Sequence, residues 1–493
     1  MRYLFLTTLA TALVCGGCSK GSSSNPDGGI ECTQGEYSGD FEILEQSDVA
    51  TLAGYTSISG DLRIFECPSC TDLSELICLT SVEGALVIFD NESLTELDGL
   101  SALTSVGGFL EFYNNDTLTN LDGLSALTSV GGGLYIESND ALTNLNGLSG
   151  ITLVSGYLAV VHNLALTNLD GLSNITLVVD NLWIEGNYTL TNLDGINGIA
   201  VVGGHLVVKN HLYLIDLYGL NGLTMVVGEV AISGNDALAN LDGLSNLTSL
   251  DGISIDHNDA LTNLDGLSGV TGSLGEDLRI EYNPALTNLD GLSGINGILG
   301  GSLRIIENSS LTNLNGVSGI TSVGKDLAIG GNALTSLNGL SGISGSLGGQ
   351  IRIGYTDTLT NLNGLSNIVS ADEGVSIYHN NALTNLDGLS GIIGSFGEIL
   401  WIEDNPVLTS LDGLSGINSV SGDLSIVEND SLTNLDGLSA LTSVDGSFNI
   451  YDSYALPDCE VCDLLDQLTS GPTTIDVHDN LDDTCTPVPT NCP

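Results

Sequence analysis

The chain has 493 residues, 61 of them acidic against 8 basic, for a formal charge of -53 at pH 7. A surface this negative repels nucleic acid and anionic lipid head groups, so neither is an expected partner. The 42% hydrophobic content excludes an acidic disordered chain, because that much apolar side chain builds a core.

The chain opens with MRYLFLTTLATALVCGGCSK, one positive charge, a short apolar run and then small residues ending at a cysteine. That order belongs to an export signal rather than to a spanning helix. The stretch VCGGC resembles the lipobox of bacterial lipoproteins, which implies Gly17 before a lipidated Cys18. Cys15 departs from the aliphatic residue usual at its place, and a plain signal peptide cleaved nearby is the competing reading. Residues 1–18 are expected to be a signal peptide with lipobox, and 19–30 a flexible tether. An exported lipoprotein of the outer membrane or cell surface follows, touching the membrane through its lipid anchor alone.

Eight cysteines follow the leader. Cys32, Cys67, Cys70 and Cys78 fall in an N-terminal cap with the first coils, 31–80, and Cys459, Cys462, Cys485 and Cys492 in a C-terminal cap, 456–493. In an oxidising compartment two sets of four read as disulfide staples. Each set allows three pairings, among which spacing does not choose. A zinc site at Cys67-x2-Cys70 is the weaker alternative.

Between the caps, 81–455 is a repeat. A leucine opens the same phrase at 94, 118, 142, 166, 190, 214, 238, 261, 286, 311, 334, 359, 383, 408 and 432, in steps of 23, 24 or 25 residues. The aligned frame is V-x-G-x-L-x-I-x-x-N-x-x-L-T-x-L-x-G-L-x-x-I. Its L-x-I element alternates as a half-buried strand does, and seventeen such strands run from Leu62-x-Ile64 to Phe448-x-Ile450, with Ile475-x-Val477 adding another. The apolar residues that follow are spaced by threes with glycine between, which predicts short strands and turns rather than a helix. One repeat cannot offset the entropy of ordering its own residues, so the repeats must stack. The predicted fold is all-β: a right-handed parallel β-solenoid of about 18 coils of 24 residues, on the order of 85 Å long at strand spacing. After Leu456, DCEVCDLLDQLTSGP predicts a short amphipathic capping helix with an Asp at its N-cap, apolar Leu464, Leu465 and Leu468, and a Gly-Pro stop.

The frame V-x-G-x-L-x-I-x-x-N-x-x-L resembles the leucine-rich repeat and, more closely, the receptor L-domain family, the solenoid modules of insulin-receptor and epidermal-growth-factor-receptor ectodomains. The resemblance covers roughly residues 40 to 485. Most copies place two residues between Asn and the next Leu, where the usual leucine-rich repeat has one; Asn332-Ala333-Leu334 is the exception. This implies a right-handed solenoid with parallel sheets rather than a strongly curved horseshoe. Lipoproteins with such arrays in predatory and soil bacteria are also similar, which says little about activity.

The constant columns read as chassis. Asn fills 13 of 17 frames, from Asn91 to Asn429, as an inward amide bonded to backbone of its own and adjacent coils. The position before the second glycine is Asp in ten frames of fifteen, from Asp98 to Asp436, and Asn in four, which suits turns. Calcium on a ladder of these carboxylates is the sharper alternative, although the dense spacing of known calcium loops is absent. GLSG recurs, but without the strand-turn-helix setting and histidine that a nucleophile elbow needs. No catalytic residue, resident metal or cofactor is therefore expected, and the chain reads as non-enzymatic.

Function is expected where repeats differ. The middle residue of L-x-I points outward, and this column holds both tryptophans, Trp183 and Trp401, every arginine beyond the leader, Arg63, Arg279, Arg304 and Arg352, and Tyr135. Beside it run Phe65, Phe89, Tyr113, Tyr378 and Tyr451, with Glu137, Glu185, Glu281, Glu403 and Lys209. Trp, Tyr and Arg are frequent anchors of recognition, so Arg63, Tyr135, Trp183, Arg279, Arg304, Arg352 and Trp401 form the candidate ligand-binding face for a protein or glycan. The plainer alternative is strand propensity, with arginine neutralising flanking acids. A rigid acidic spacer without a specific ligand is the second functional reading, and a carbohydrate-active solenoid enzyme the third.

Overall fold

The computed structural model describes residues 30–481. The L-x-I strands pair in parallel, in register, into one sheet of 19 strands, from Phe41–Ile43 at one end to Thr474–His478 at the other. Each strand bonds only to those of the coils before and after, as Leu134–Glu137 does between Leu110–Tyr113 and Leu158–Val161. The two terminal strands have one partner each, so the sheet is open. Burial alternates with the period of two that a strand imposes: Leu62 and Ile64 are fully buried, Arg63 and Phe65 are not. Ile475 and Val477 lie in a strand, as their spacing predicts.

Each coil of the array has three sides. After the long-sheet strand the chain turns a corner and runs through a 3-10 turn, Asp98–Leu100 in the first full repeat and Asp436–Leu438 in the last. It then enters a shorter strand of a second parallel sheet. The 3-10 turns explain the apolar spacing by threes. In the phrase T-N-L-D-G the Asn caps the turn, with Asn120 Oδ1 accepting the Asp122 N–H at 3.0 Å.

The glycine of that phrase has a different reason to be there. A Cβ on Gly123 would sit 2.0 Å from the Leu97 carbonyl oxygen of the preceding coil, and on Gly171 1.7 Å from that of Leu145. Adjacent 3-10 turns stack backbone on backbone, and no side chain fits between them.

The second sheet absorbs the irregular period. It runs as nine strands from Gly35–Tyr37 to Met225–Val226 and then continues as separate sheets of three, two and three. The four 25-residue steps begin at Leu261, Leu286, Leu334 and Leu383, and eleven residues into each stands a glycine with positive φ: Gly272, Gly297, Gly345 and Gly394. At all four the strand register shifts. The extra residue is a β-bulge on a left-handed glycine, which leaves the long sheet in register.

Inside the corner, the asparagines form an amide ladder in three runs, Asn91 to Asn187, Asn235 to Asn332 and Asn380 to Asn429, with His211 and Thr356 standing at the two breaks. Asn115 Nδ2 donates to the Ile88 carbonyl of the preceding coil (2.9 Å), while its Oδ1 accepts the Asn91 N–H (3.3 Å) and Nδ2–H (3.0 Å). All thirteen are buried. Asn480, in the frame position three residues after Val477, extends the ladder into the C-terminal cap by accepting the Ser453 N–H.

At the N-terminal end, Cys32 is bonded to Cys78 and Cys67 to Cys70, which replaces the zinc alternative at Cys67-x2-Cys70. Cys459 and Cys462 are also disulfide-bonded. The leader, Cys18, most of the tether, Cys485 and Cys492 lie outside the described residues. The capping helix spans Asp458–Gln467 and buries Val461, Cys462, Leu464 and Leu465. Pro457, with extended backbone, takes the N-cap that the sequence assigns to Asp458; the aspartate stands in the first turn, where a carboxylate still favours the helix dipole. Gln467 Nε2 ties the helix to the last 3-10 turn through the Leu438 and Leu441 carbonyls.

Candidate functional site: the outward face of the long sheet

Because the long sheet holds register for its whole length, its outward positions fall into straight columns. The L-x-I middle column places Arg279 opposite Arg304, and Ser376 between Arg352 and Trp401. Small residues punctuate it: Ala159, Ala231, Ala328 and Ser376 are buried beneath their larger neighbours.

The four arginines do not stand as free charges. Arg63 pairs with Asp61 (2.6 Å) and Glu42 (3.6 Å), Arg279 with Asp277, and Arg304 with Glu281 (2.6 Å). Arg352 lies 3.7 Å from Asp326, and its Nε donates to Gln350 Oε1. Burial pushes the Asp277 carboxyl up, but the Ser302 N–H and then Arg279 outweigh it and hold the group below its ordinary value. Each guanidinium of the Arg279, Arg304 and Arg352 run therefore already faces a carboxylate rather than standing free for a ligand. Trp183 is 42% exposed and its ring N–H donates to Glu185 (2.6 Å); the Tyr135 hydroxyl donates to Glu137.

The aromatics stack along the array rather than standing singly. Phe65, Phe89 and Tyr113 form a continuous pile with centroids 4.8 and 4.6 Å apart. Burial, together with Glu111 and Asp90, pushes the Tyr113 hydroxyl up to about 12. Tyr378 stacks on Trp401 at 5.6 Å and meets Tyr355 edge-on at 5.5 Å. Around Trp401 the face opens into a depression of about 820 Å³, lined by Arg352, Tyr378 and Trp401 among others and floored by Ser376.

A third outward column escaped the sequence reading. The residue just before each ladder position has positive φ, and in fifteen coils it is not glycine, among them His162, His257, Tyr282, Tyr355 and His379. L-residues there are strained, although Asp, Asn and His tolerate it best. The backbone turn at this corner drives the side chain out beside the sheet, where His257 stacks on Tyr282 (4.6 Å) and Tyr355 on His379 (4.7 Å). Its sequence signal is its fixed place one residue ahead of the ladder Asn.

The other candidate sites are less built. The Asp-Gly carboxylates are exposed, at most one per coil, and Asn or Tyr replaces them in five frames of fifteen. Among the described residues, the cluster of three potential metal-binding groups is elsewhere, at Asp452, His478 and Asp479. In GLSG the serine ends a 3-10 turn; the Ser149 N–H donates to the Asn146 carbonyl, which is turn chemistry.

The architecture is of the leucine-rich-repeat type. No family model matches the chain, and no curated protein matches it. Among solved structures it is similar to an internalin from Listeria monocytogenes, at 13% identity over 89% of this chain and 84% of that one, with a TM-score of 0.26. It is also similar to a leucine-rich repeat protein from Bacteroides eggerthii, at 13% identity over 87% of this chain and 69% of that one, with a TM-score of 0.38. The fold itself rests on the register of the strands described above. Among the described residues no helix is long and apolar enough to cross a membrane.

Proposed function

We propose that this chain is a non-enzymatic, exported cell-surface lipoprotein that binds a protein or glycan through the outward face of a receptor-L-domain-like solenoid. Cys18 carries the lipid, 19–30 is the tether, and the cysteine-rich ends at 31–80 and 456–493 close the array of 81–455. The observation that supports the binding reading is the concentration of recognition chemistry on one rigid face: both tryptophans, four arginines and two runs of stacked aromatics. A second reading, a rigid acidic spacer, is favoured by one specific observation, the pairing of all four arginines with neighbouring carboxylates.

Substituting Trp183, Arg279, Arg304 and Trp401 together by alanine separates the two. These side chains are outward, so the melting transition should stay within a few degrees of the parent. Glycan-array signals and the yield of cross-linked surface partners should fall at least tenfold; retention of both would leave the spacer. Metabolic labelling with a fatty acid, lost in Cys18→Ala, tests the anchor.

A further inference from the structure

We propose that the depression beside Trp401 is a subsite for a neutral hexopyranose ring of an oligosaccharide. The inference rests on the binding reading above and names the ligand class for one part of that face.

The hollow exists because the middle column alternates in size. Arg352 and Trp401 flank Ser376 in direct register, so their backbones are two strand spacings apart, on the order of 9.6 Å. Ser376 is almost fully buried between them, and the space above it is the depression. At the corresponding place other coils carry Tyr135 or Trp183, which would fill it.

Its walls are held before any ligand arrives. Gln350 donates to the Ser376 hydroxyl and accepts from Arg352 Nε, and Asp326 lies 3.7 Å from the same guanidinium. On the opposite side Trp401 is stacked on Tyr378. The stacked pair of Trp401 and Tyr378 offers an apolar wall, and a fixed guanidinium and amide, with Glu398 and Asp423 also in the lining, offer donors and acceptors. This combination matches a pyranose, which has an apolar C–H face and a rim of hydroxyls that both donate and accept. Charge selects among sugars: the lining carries Glu398 and Asp423 against the single guanidinium of Arg352, which already has Asp326 at 3.7 Å, so the pocket is net negative and opposes a uronate or any other anion.

The test is titration calorimetry on the full chain with cellohexaose, maltohexaose, mannohexaose and, as an anionic control, hexagalacturonate. At least one neutral hexamer should bind saturably and hexagalacturonate should not. Ser376→Tyr fills the hollow with a residue that this column accepts elsewhere, and should weaken binding at least tenfold with an unchanged melting transition. Trp401→Ala should do the same, and serves if Ser376→Tyr perturbs the sheet. The proposal is overturned if no neutral hexamer binds, if hexagalacturonate binds more tightly, or if both folded variants bind like the parent. A protein partner captured equally by parent and Ser376→Tyr, with no hexamer bound, would overturn the sugar subsite and leave the wider binding function standing.

Discussion

His211 is the point at which the amide ladder can be tested. It stands in the ladder column between Asn187 and Asn235, fully buried. Its own N–H donates to Asn235 Oδ1 (3.2 Å), and its Nδ1 is 3.1 Å from the same oxygen, while Nε2 is buried without a partner. Burial lowers its pKa from 6.5 to about 4, against smaller opposing effects of the Asn235 hydrogen bond and of Glu185. Replacing it with Asn should restore the pattern seen at Asn235, where Nδ2 donates to the preceding coil's Val208 carbonyl and Oδ1 accepts from the residue before. At pH 7.5, where the histidine is neutral folded or unfolded, two regained buried hydrogen bonds at about 1 kcal/mol each should stabilise the variant by about 2 kcal/mol, less any loss of packing.

The pH dependence carries the sharper test. The unfolded chain takes up a proton near pH 6.5 and the folded chain only near pH 4, so the unfolded state binds more protons between those values. Stability is therefore fully present above pH 6.5 and is lost as the pH falls towards 4. A shift from 6.5 to about 4 corresponds to about 3 kcal/mol, most of it gone by pH 4.5. Urea unfolding of parent and His211→Asn at pH 7.5 and 4.5 measures the difference, with carboxylate titration common to both. Because arrays unfold in segments, hydrogen exchange of the coils around 187–235 should accompany it. A parent-to-variant gap that is the same at both pH values would refute the buried neutral histidine. A variant less stable at pH 7.5 would refute the ladder argument.

Other consequences follow from the packing. Gly171→Ala places a methyl against the Leu145 carbonyl and should cost about 3 kcal/mol or more, read by calorimetry, whereas Gly471→Ala, which meets nothing within 4 Å, should be neutral within about 0.5 kcal/mol. Removing the Cys32–Cys78 bridge, of sequence separation 46, should cost about 4 kcal/mol by loop entropy, seen as loss of exchange protection in the first coils before the array melts. Since a coil offers at most one exposed Asp-Gly carboxylate rather than a convergent set, chelator should leave the melting temperature unchanged; a fall of several degrees would reinstate calcium.

What the sequence discloses follows from how far apart the interacting residues lie in the frame. The strand is legible from L-x-I because burial alternates within three residues, and the inward Asn because a polar residue recurs in an apolar setting. The 25-residue steps are visible in the spacing, but their structural cause needs the φ angles at Gly272, Gly297, Gly345 and Gly394. The same is true of the 3-10 glycines: D-G suggests a turn requiring glycine's conformational freedom, whereas the obstacle to a side chain is the carbonyl of a residue about 26 positions earlier, Leu97 for Gly123.

The binding face shows the limit most sharply. The repeat frame puts Arg279, Arg304 and Arg352 in one outward column, where they read as exposed anchors for a ligand. Whether an outward arginine is free depends on what the register sets beside it, and Glu281, the partner of Arg304, belongs to the preceding coil. A side chain of little apparent interest, Ser376, matters more than the charges do, because it is small where both neighbours in register are large. In a solenoid, the coil repeat supplies the surface and the mismatch between successive coils supplies its relief, so a site is read from differences between residues about 24 apart rather than from any one residue.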